Sequence, residues 1–422
     1  MNNWIIFTSL RHLKTKRKEK GDTSTFLSVI GILSGVMTMI TVIGVMNGFQ
    51  GSNIDKRVEI GSGHVALEPI SNNSSININL LTNLKNVKSF YKSSEFVTAA
   101  SDGRDSEIIG LQVNSLPQNI YKIDESFKSW VKIHSGSFNI NSDNSIIIGK
   151  SLAYSRHLSI GDKINLIAFG SKETKFSPKE IEYTISGIFR SGSIEYDERL
   201  VFISNESAER YFISENEFMY KFKIENRNRY QSLVNTLSGI PEVLDNYTIK
   251  SWKDYNTSYY NALKNEKDLM TILIGLIFLV VGINIYNSLR RSVYMRFEEI
   301  SVLKTLGATS FDIRVIFILE SFFIGFVGAT LGVFLGLWIV NNINYIFEIL
   351  ENIVNFVFSF TNGGSISFYG PQFFYLNTVP VEVYLNESIL VYLSAVGTSI
   401  IAAYAASKRI SEIRPGEVIR NE

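Results

Sequence analysis

The sequence has no cysteine and only four histidines among its 422 residues. Without cysteine, structural disulfides, thiol catalysis and thiolate zinc sites are excluded. The histidines are scattered, at His12, His64, His134 and His157, without the spacing of metal ligands, so no metal site is predicted. Charge is scarce as well, since charged residues make up 19% of the chain, whereas about a quarter is usual. The net charge of +1 gives no electrostatic basis for binding nucleic acid.

Hydrophobic residues, at 45% of the chain, are concentrated in long runs instead. A chain of this length exceeds one ordinary core, so at least two structural units are expected. A membrane-spanning helix needs roughly 20 apolar residues. Four runs meet this requirement and are predicted to span a membrane: 26–46, 269–289, 313–340 and 389–406. The apolar run at 353–360 is short and interrupted by Asn355 and Ser359, so it is not predicted to span.

Lysine and arginine near the span ends predict the orientation of the chain. With four crossings, all the basic clusters fall on one side: Arg11, Lys14, Lys16, Arg17, Lys18 and Lys20; Arg290, Arg291 and Arg296; Arg314; Lys408, Arg409, Arg414 and Arg420. Both termini and the loop 290–312 are then cytoplasmic. Residues 1–25 are predicted to form an interfacial helix and residues 407–422 a cytoplasmic tail. The first apolar run has no cleavage pattern after it and is interpreted as a retained span.

This topology leaves two external segments, a domain at 47–265 and a loop at 341–387. The domain has short runs typical of β-strands, at 65–67, 108–113, 146–148, 163–167, 181–188, 200–203 and 218–224. Residues 229–237 have helical periodicity, so an α+β unit is predicted, without an order for its strands. Gly149-Lys150-Ser151 resembles the end of a phosphate loop, but Asn144 stands where that motif needs glycine. No nucleophile–base set is apparent, so an independent enzyme is not expected.

The loop 290–312 predicts a short amphipathic helix between the second and third spans. Ile300, Leu303 and Leu306 recur at three-residue steps, and Gly307 is well placed to end the helix as a left-handed cap. Thr309 and Asp312 form a capping-box pattern for the third span. Two interpretations are equally consistent with this spacing: a surface helix resting on lipid headgroups, or a docking helix for a cytoplasmic partner.

Small residues recur at four-residue steps in the first and third spans and predict close helix packing. The glycines concerned are Gly31, Gly35, Gly328, Gly332 and Gly336. Glu320 is costly inside hydrocarbon, so we expect it near the inner interface or facing protein.

Four stretches carry a resemblance to a known family. Val45-Met-Asn-Gly-Phe-Gln50 and the region 374–382, with Val379-Pro-Val-Glu382, resemble elements of the lipoprotein-releasing ABC transporter permeases of the LolC/LolE type. Residues 297–308 resemble the coupling helix of the wider FtsX-like and MacB-like permease superfamily. Residues 406–417 resemble that family's C-terminal tail.

The resemblance implies a membrane α-helical protein with four transmembrane helices and a large α+β extracytoplasmic domain, the MacB-like periplasmic core. It implies a non-catalytic permease subunit in the bacterial inner membrane that extracts lipoproteins and passes them to a periplasmic carrier. Its expected partners are a cytoplasmic ABC ATPase dimer that binds ATP and magnesium, a second permease subunit, the lipoprotein cargo, the carrier and membrane lipids. This chain itself would hold no cofactor.

Site residues follow from the same resemblance. ATPase coupling is assigned to Glu298, Glu299, Ile300, Leu303, Lys304, Leu306, Gly307 and Ala308. The substrate cavity between paired first spans is assigned to Val42, Met46, Asn47 and Phe49. Carrier contact is assigned to Phe176, Ser177 and Pro178, in a stretch shorter than the family's hairpin.

Two other functions remain open on the sequence. A MacB-like permease would export peptides or drugs, and an FtsX-like protein would move no cargo but activate cell-wall hydrolases. The element at Val45–Gln50 and the size of the external domain favour lipoprotein release.

Overall fold

The computed structural model describes residues 3–14, 22–71, 74, 76–82, 84, 86–101, 108–140, 144–169, 178–214, 217–359 and 378–408. Its α-helices are α1 (Asn3–Lys14), α2 (Asp22–Arg57), α3 (Ile78–Thr82), α4 (Ile120–Ile123), α5 (Glu125–Trp130), α6 (Lys150–Ser155), α7 (Ile194–Arg199), α8 (Asn205–Tyr211), α9 (Tyr230–Ser238), α10 (Pro241–Asn246), α11 (Trp252–Tyr255), α12 (Thr257–Met295), α13 (Phe297–Thr305), α14 (Ser310–Asn341), α15 (Ile343–Ser359) and α16 (Leu385–Ser407). A π-helical turn, Val58–Ser62, continues α2, and a 3-10 turn, Arg227–Arg229, precedes α9.

The β-strands are β1 (Val65–Pro69), β2 (Val87–Ser101), β3 (Ile109–Leu116), β4 (Lys132–Gly136), β5 (Ser145–Gly149), β6 (Lys163–Phe169), β7 (Pro178–Arg190), β8 (Leu200–Ser204), β9 (Met219–Ile224) and β10 (Tyr247–Ser251). The described residues fall into two compact units. Those within Met1–Gly51, Leu263–Ile366 and Val379–Glu422 form the membrane unit, and those within Ser52–Ala262 and Ser367–Thr378 form the α/β unit.

Four helices of the described chain, α2, α12, α14 and α16, are long and apolar enough to cross a membrane. The four predicted spans lie within them, which confirms the predicted fold class. Helices α2 and α12 extend well beyond the spans 26–46 and 269–289. Each helix continues past its apolar run, and the turns beyond that run are made mostly of polar residues.

Contacts between these helices give their relative directions. A methyl group on Gly328 of α14 would meet Ile32 of α2, and one on Gly336 would meet Ile40, so α2 and α14 run parallel. Ser28 of α2 hydrogen-bonds Ser288 of α12, whereas Gly35 lies against Val281, so these two helices run antiparallel. Likewise α14 and α16 are antiparallel, with the Ser321 hydroxyl donating to the Ser399 carbonyl and Thr330 lying near Tyr392. These directions alternate as four successive crossings require.

The α/β unit contains a ten-stranded sheet with the order β10-β1-β9-β2-β3-β8-β5-β7-β4, and β6 pairs with both β2 and β7. The two halves of the long strand β2 pair with different strands: Val87–Ser93 pairs with β9, and Ser94–Ala100 pairs with β3. Because β6 joins β2 to β7, strands β2, β3, β8, β5, β7 and β6 close into a ring. Apolar side chains from all six strands of this ring share one buried cluster.

The strand predictions were confirmed for seven strands and missed three, β2, β4 and β10. The predicted helix at 229–237 is α9. Gly161 and Gly192 have positive φ, at +87° and +74°, a conformation that favours glycine. Gly149 has a packing reason for being glycine: a methyl group there would lie 2.2 Å from the Asp197 carbonyl oxygen.

Candidate functional site

The short helix α13 lies between two membrane helices, as its sequence predicted. Gly307 ends it with φ +98°, a left-handed conformation that favours glycine. Helix α14 then begins with a capping box: the Asp312 amide donates to the Thr309 hydroxyl at 3.2 Å, and the Thr309 amide donates to the Asp312 carboxylate at 2.9 Å. The chain between the two helices is therefore a tight, defined turn.

One side of α13 is fastened to both neighbouring helices. Ile300 is buried in a small cluster with Val293 of α12 and with Ile313 and Phe317 of α14, and Ala308 packs against it. Such a cluster resists separation of its members because a void would forfeit their contacts. Ile300 therefore anchors α13 to both α12 and α14.

The other side of α13 presents charge and exposed hydrophobic surface. Glu298 and Glu299 are exposed, and Leu303 and Lys304 are half-buried. Leu306, the last member of the predicted apolar stripe, is 78% exposed and lies in the turn that follows α13, because the helix ends at Thr305.

Two neighbours of Leu306 were missed by sequence reasoning. Val302 is 57% and Phe311 72% exposed, so three apolar side chains of this segment have no cover within the described chain. Their spacing does not follow one helical stripe, because they come from α13, the turn and α14. Exposed apolar side chains beside two carboxylates are typical of a surface that contacts either another protein or the membrane interface.

Glu320, predicted to lie at the interface or to face protein, is buried within the membrane unit. Its side chain is 1% exposed, and its carboxylate lies 3.6 Å from the guanidinium of Arg296, the residue between α12 and α13. This ion pair adds a second tie between α14 and the start of α13.

Glycines hold α2 against α14 at close range. Methyl groups on Gly328, Gly332 and Gly336 would lie within about 3 Å of Ile32, Val36 and Ile40 respectively. A methyl group on Gly35 would lie 3.4 Å from the Val281 side chain of α12, an ordinary contact distance. A methyl group on Gly31 would meet no described atom within 4 Å. Small residues let helices in lipid approach in this way. Helix α2 therefore follows α14 over several turns.

The part of α2 around Gly44 and Gly48 is bound by the segment that leads into α16. A methyl group on Gly48 would lie 2.2 Å from the Pro380 carbonyl oxygen, and the Glu382 amide donates to the Gly44 carbonyl at 2.9 Å. Asn47 is buried and donates to the Glu387 carboxylate at 2.5 Å, which also binds Lys267 of α12 at 2.6 Å. The elements Val45–Gln50 and Val379–Glu382 thus contact each other.

The four residues predicted for the substrate cavity differ in how far they are buried. Asn47 is held inside the chain's own helices. Val42 is 46% exposed, and Met46 and Phe49 are half-buried. Of the predicted carrier contacts, Phe176 and Ser177 lie outside the described residues. Pro178 is exposed at the start of β7, where it pairs with Phe169 of β6.

Sequence reasoning also missed a buried polar network in the α/β unit. Lys223 of β9 contacts the carboxylates of Asp124 at 2.5 Å and Glu59 at 3.0 Å, and donates to the Glu59 carbonyl at 2.6 Å. Its neighbour Lys221 is fully buried against Glu95 at 2.6 Å, and Tyr255 donates to the same carboxylate at 2.9 Å. The residues come from distant parts of the chain, so no local sequence pattern predicts that they form this network.

His64 lies in this network, and we expect it to make stability pH-dependent. It is 4% exposed, and its Nδ1 accepts from the Ile224 amide at 3.1 Å. Burial, followed by the charges of Lys223 and Arg227, lowers the pKa of His64 from 6.5 to about 4. Between these values the unfolded chain binds a proton that the folded chain does not. Stability from this group is therefore complete above pH 6.5 and falls as the pH is lowered toward 4.

The expected loss at His64 is on the order of 3 kcal/mol, since each pKa unit corresponds to about 1.4 kcal/mol. The check compares amide hydrogen exchange of β9 at pH 6.5 and pH 4 in the native chain and in His64→Asn. The asparagine oxygen can accept from Ile224 but does not titrate. Equal pH dependence in both proteins would show that His64 is not responsible.

Comparison with known proteins places these features in a family. Residues 25–237, just over half of the chain, match the MacB-like periplasmic core domain, and residues 271–415 match the FtsX-like permease C-terminal family. Over 99% of both chains, the sequence is 28% identical to the lipoprotein-releasing system transmembrane protein LolC of Neisseria meningitidis. The chain belongs to the LolC/LolE-type permeases of this superfamily.

Other relatives span the permease equally fully. LolE of Haemophilus influenzae, also named a lipoprotein-releasing system transmembrane protein, is 20% identical over 99% of both chains. Among solved structures, the extracellular domain of the ABC-type transporter YknZ aligns with 44% of this permease and 98% of its own chain, at 14% identity and a TM-score of 0.28.

Proposed function

We propose that this permease is the membrane subunit of an ATP-driven transporter that extracts lipoproteins from the bacterial inner membrane and passes them to a periplasmic carrier. The observation that carries the proposal is end-to-end similarity to lipoprotein-releasing proteins, which extends through both the membrane unit and the α/β unit. The MacB-like and FtsX-like matches are shared with efflux and relay proteins, and so do not distinguish these functions.

The exposed surface of α13 is the proposed docking site for a separate cytoplasmic ATPase dimer, which would supply ATP and magnesium. Val302, Leu306 and Phe311 provide the apolar contact, and Glu298 and Glu299 provide charge at its edge. Both termini of the permease would then be cytoplasmic, in agreement with the basic clusters at the same span ends.

Movement of α13 reaches α2 through contacts already described. The cluster around Ile300 carries α14 along with α13, and the contacts of Gly328, Gly332 and Gly336 carry α2 along with α14. Packed helices move as rigid bodies between discrete arrangements. The exposed side of α2, including Val42, would thereby face a second permease subunit in one arrangement and enclose the cargo's acyl chains in another.

ATP coupling has an energetic reason. Withdrawing an acyl chain from the bilayer costs about 0.8 kcal/mol for each exposed methylene. A lipoprotein with several chains therefore does not leave the membrane spontaneously at a useful rate.

A crosslinking experiment tests both parts of the proposal. A photocrosslinker at Phe49 is expected to capture lipoproteins, with capture that changes on adding ATP to the purified complex. Leu306→Glu is expected to reduce ATPase copurification roughly tenfold or more, as for an interface anchor worth about 2 kcal/mol, and to abolish the ATP response.

The matched control is Val97→Glu, since Val97 is an apolar residue of the α/β unit that is 76% exposed. Val97→Glu should retain normal ATPase copurification and the ATP-dependent change in lipoprotein capture. Capture of cell-wall hydrolases would favour the relay function, and capture of peptides or drugs would favour efflux. Normal ATPase binding by Leu306→Glu would remove the role assigned to α13.

A further inference from the structure

Helix α15 follows the third membrane helix and has an exposed apolar face that the proposed function does not use. Only Asn342 separates it from α14, so its first turn lies at the level where α14 leaves the apolar region. The sequence did not predict it, because its apolar residues are interrupted too often for a span.

The interruptions follow a helical pattern. Polar residues recur on one side of α15: Asn344, Glu348, Glu351, Asn352, Asn355 and Ser359. The opposite side carries apolar residues with large exposed fractions: Tyr345 63%, Ile349 40%, Leu350 46%, Ile353 54% and Val357 58%. At 17 residues with a complete polar stripe, α15 is too polar to span a bilayer.

We infer that α15 lies in the membrane surface, with this apolar face in the boundary between lipid headgroups and acyl chains. The first argument is continuity with surface that already faces lipid. Phe334 and Trp338 in the last turns of α14 are 71% and 55% exposed, and Tyr345 continues this aromatic surface within the first turn of α15. Aromatic residues with a polar tip are enriched at this depth of a bilayer.

The second argument concerns the first turn of α15, where the polar residue Asn344 is bound to the protein. Asn344 accepts from the Val379 amide at 2.8 Å and donates to the Val379 carbonyl at 3.4 Å. Val379 begins the segment that binds Gly44 and Gly48 of α2. The start of α15 is thereby fixed to the membrane unit through Asn344, on the side of the helix opposite its apolar face.

Charge identifies the part of the lipid that is recognised. Residues 315–407 contain no lysine, arginine or histidine, and the polar stripe of α15 carries Glu348 and Glu351. Helices that bind anionic headgroups present cations instead. The contact is therefore with acyl chains and does not depend on anionic lipid. The inference requires only a membrane-embedded permease and is independent of the cargo.

Site-directed spin labelling of the complete transporter in lipid vesicles tests this inference, and the cysteine-free sequence makes single labels specific. Labels at Ile349 and Ile353 should be several-fold more accessible to oxygen, relative to a water-soluble nickel reagent, than labels at Glu348 and Asn352. Leu276, 53% exposed on α12, serves as the lipid control, and Val97 as the water control. The contrast should be the same in zwitterionic and anionic vesicles.

Three outcomes would overturn the inference. Nickel accessibility at Ile349 and Ile353 equal to that at Val97 would place the face in water. Protection from both reagents would mean that protein covers it, either a second permease copy or residues 360–377. A contrast that appears only in anionic vesicles would assign the contact to headgroups. Two label sites on each face guard against one variant that does not fold.

Discussion

Replacing Glu95 with leucine is expected to destabilise the α/β unit by about 3–5 kcal/mol, the usual cost of leaving a buried charge without its partner. Lys221 is fully buried, and burial lowers its pKa while Glu95 acts against that shift. Without Glu95 the ammonium group must either remain charged in the interior or lose its proton. Both outcomes cost free energy of folding, and Tyr255 loses its acceptor as well.

The measurement is amide hydrogen exchange of β2 and β9 in the full-length permease, which reports the free energy of opening. Glu182→Leu is the matched control, because its ion pair with Lys163 has the same type of partners at 2.7 Å but both side chains are more than half exposed. Exposed pairs contribute at most about 1 kcal/mol. The triple variant Glu95→Leu, Lys221→Met, Tyr255→Phe should recover most of the loss, since apolar groups can replace a buried pair. Similar effects of the Glu95 and Glu182 substitutions would contradict the assignment.

Gly48→Ala is expected to separate α2, at Gly44–Gly48, from the segment Val379–Glu382. The added methyl group would lie 2.2 Å from the carbonyl oxygen and 2.4 Å from the carbonyl carbon of Pro380, and 2.5 Å from the Val381 Cα. These are backbone atoms, which cannot rotate away as a side-chain end can. Overpacking costs about 1–3 kcal/mol, and we expect the upper part of that range here.

The check on Gly48→Ala is hydrogen exchange at the Glu382 amide, which donates to the Gly44 carbonyl and should lose protection. Gly31→Ala is the control in the same helix, because its methyl group meets no described atom within 4 Å. That variant should be neutral or slightly stabilising, since alanine is the better helix former. Unchanged protection at Glu382 in Gly48→Ala would show that the segment can move aside without cost.

The roles of the two family-like elements illustrate what a motif can and cannot convey. Met46, Asn47 and Phe49 of the element Val45–Gln50 were assigned to the substrate cavity by resemblance, and that role stays a prediction. The structure adds that Asn47 and Gly48 bind the chain's own segments at Glu387 and Pro380. A one-dimensional motif does not distinguish a residue kept for packing from one kept for a ligand, because both need a fixed residue type at a fixed position.

Local regularities were sufficient for much of the architecture. Runs of about 20 apolar residues must cross a bilayer because backbone groups in hydrocarbon have to be satisfied within a helix. The caps at Gly307 and at Thr309 with Asp312 were also readable, since they depend on residues three apart or on one backbone conformation. For the same reason, strands with dense β-branched runs were found.

Only the tertiary structure decided the rest. Strand β2 has no strong pattern of its own because its two halves serve different neighbours, β9 and β3. The ion pairs of Lys221 and Lys223 join residues more than 90 positions apart, and the surface of Val302, Leu306 and Phe311 is assembled from two helices and a turn. Sequence by itself determined where the chain enters lipid, since that depends on the solvent preference of contiguous residues. The pairing of polar groups in the interior depends on distances between remote segments of the chain. Only the folded structure sets these distances.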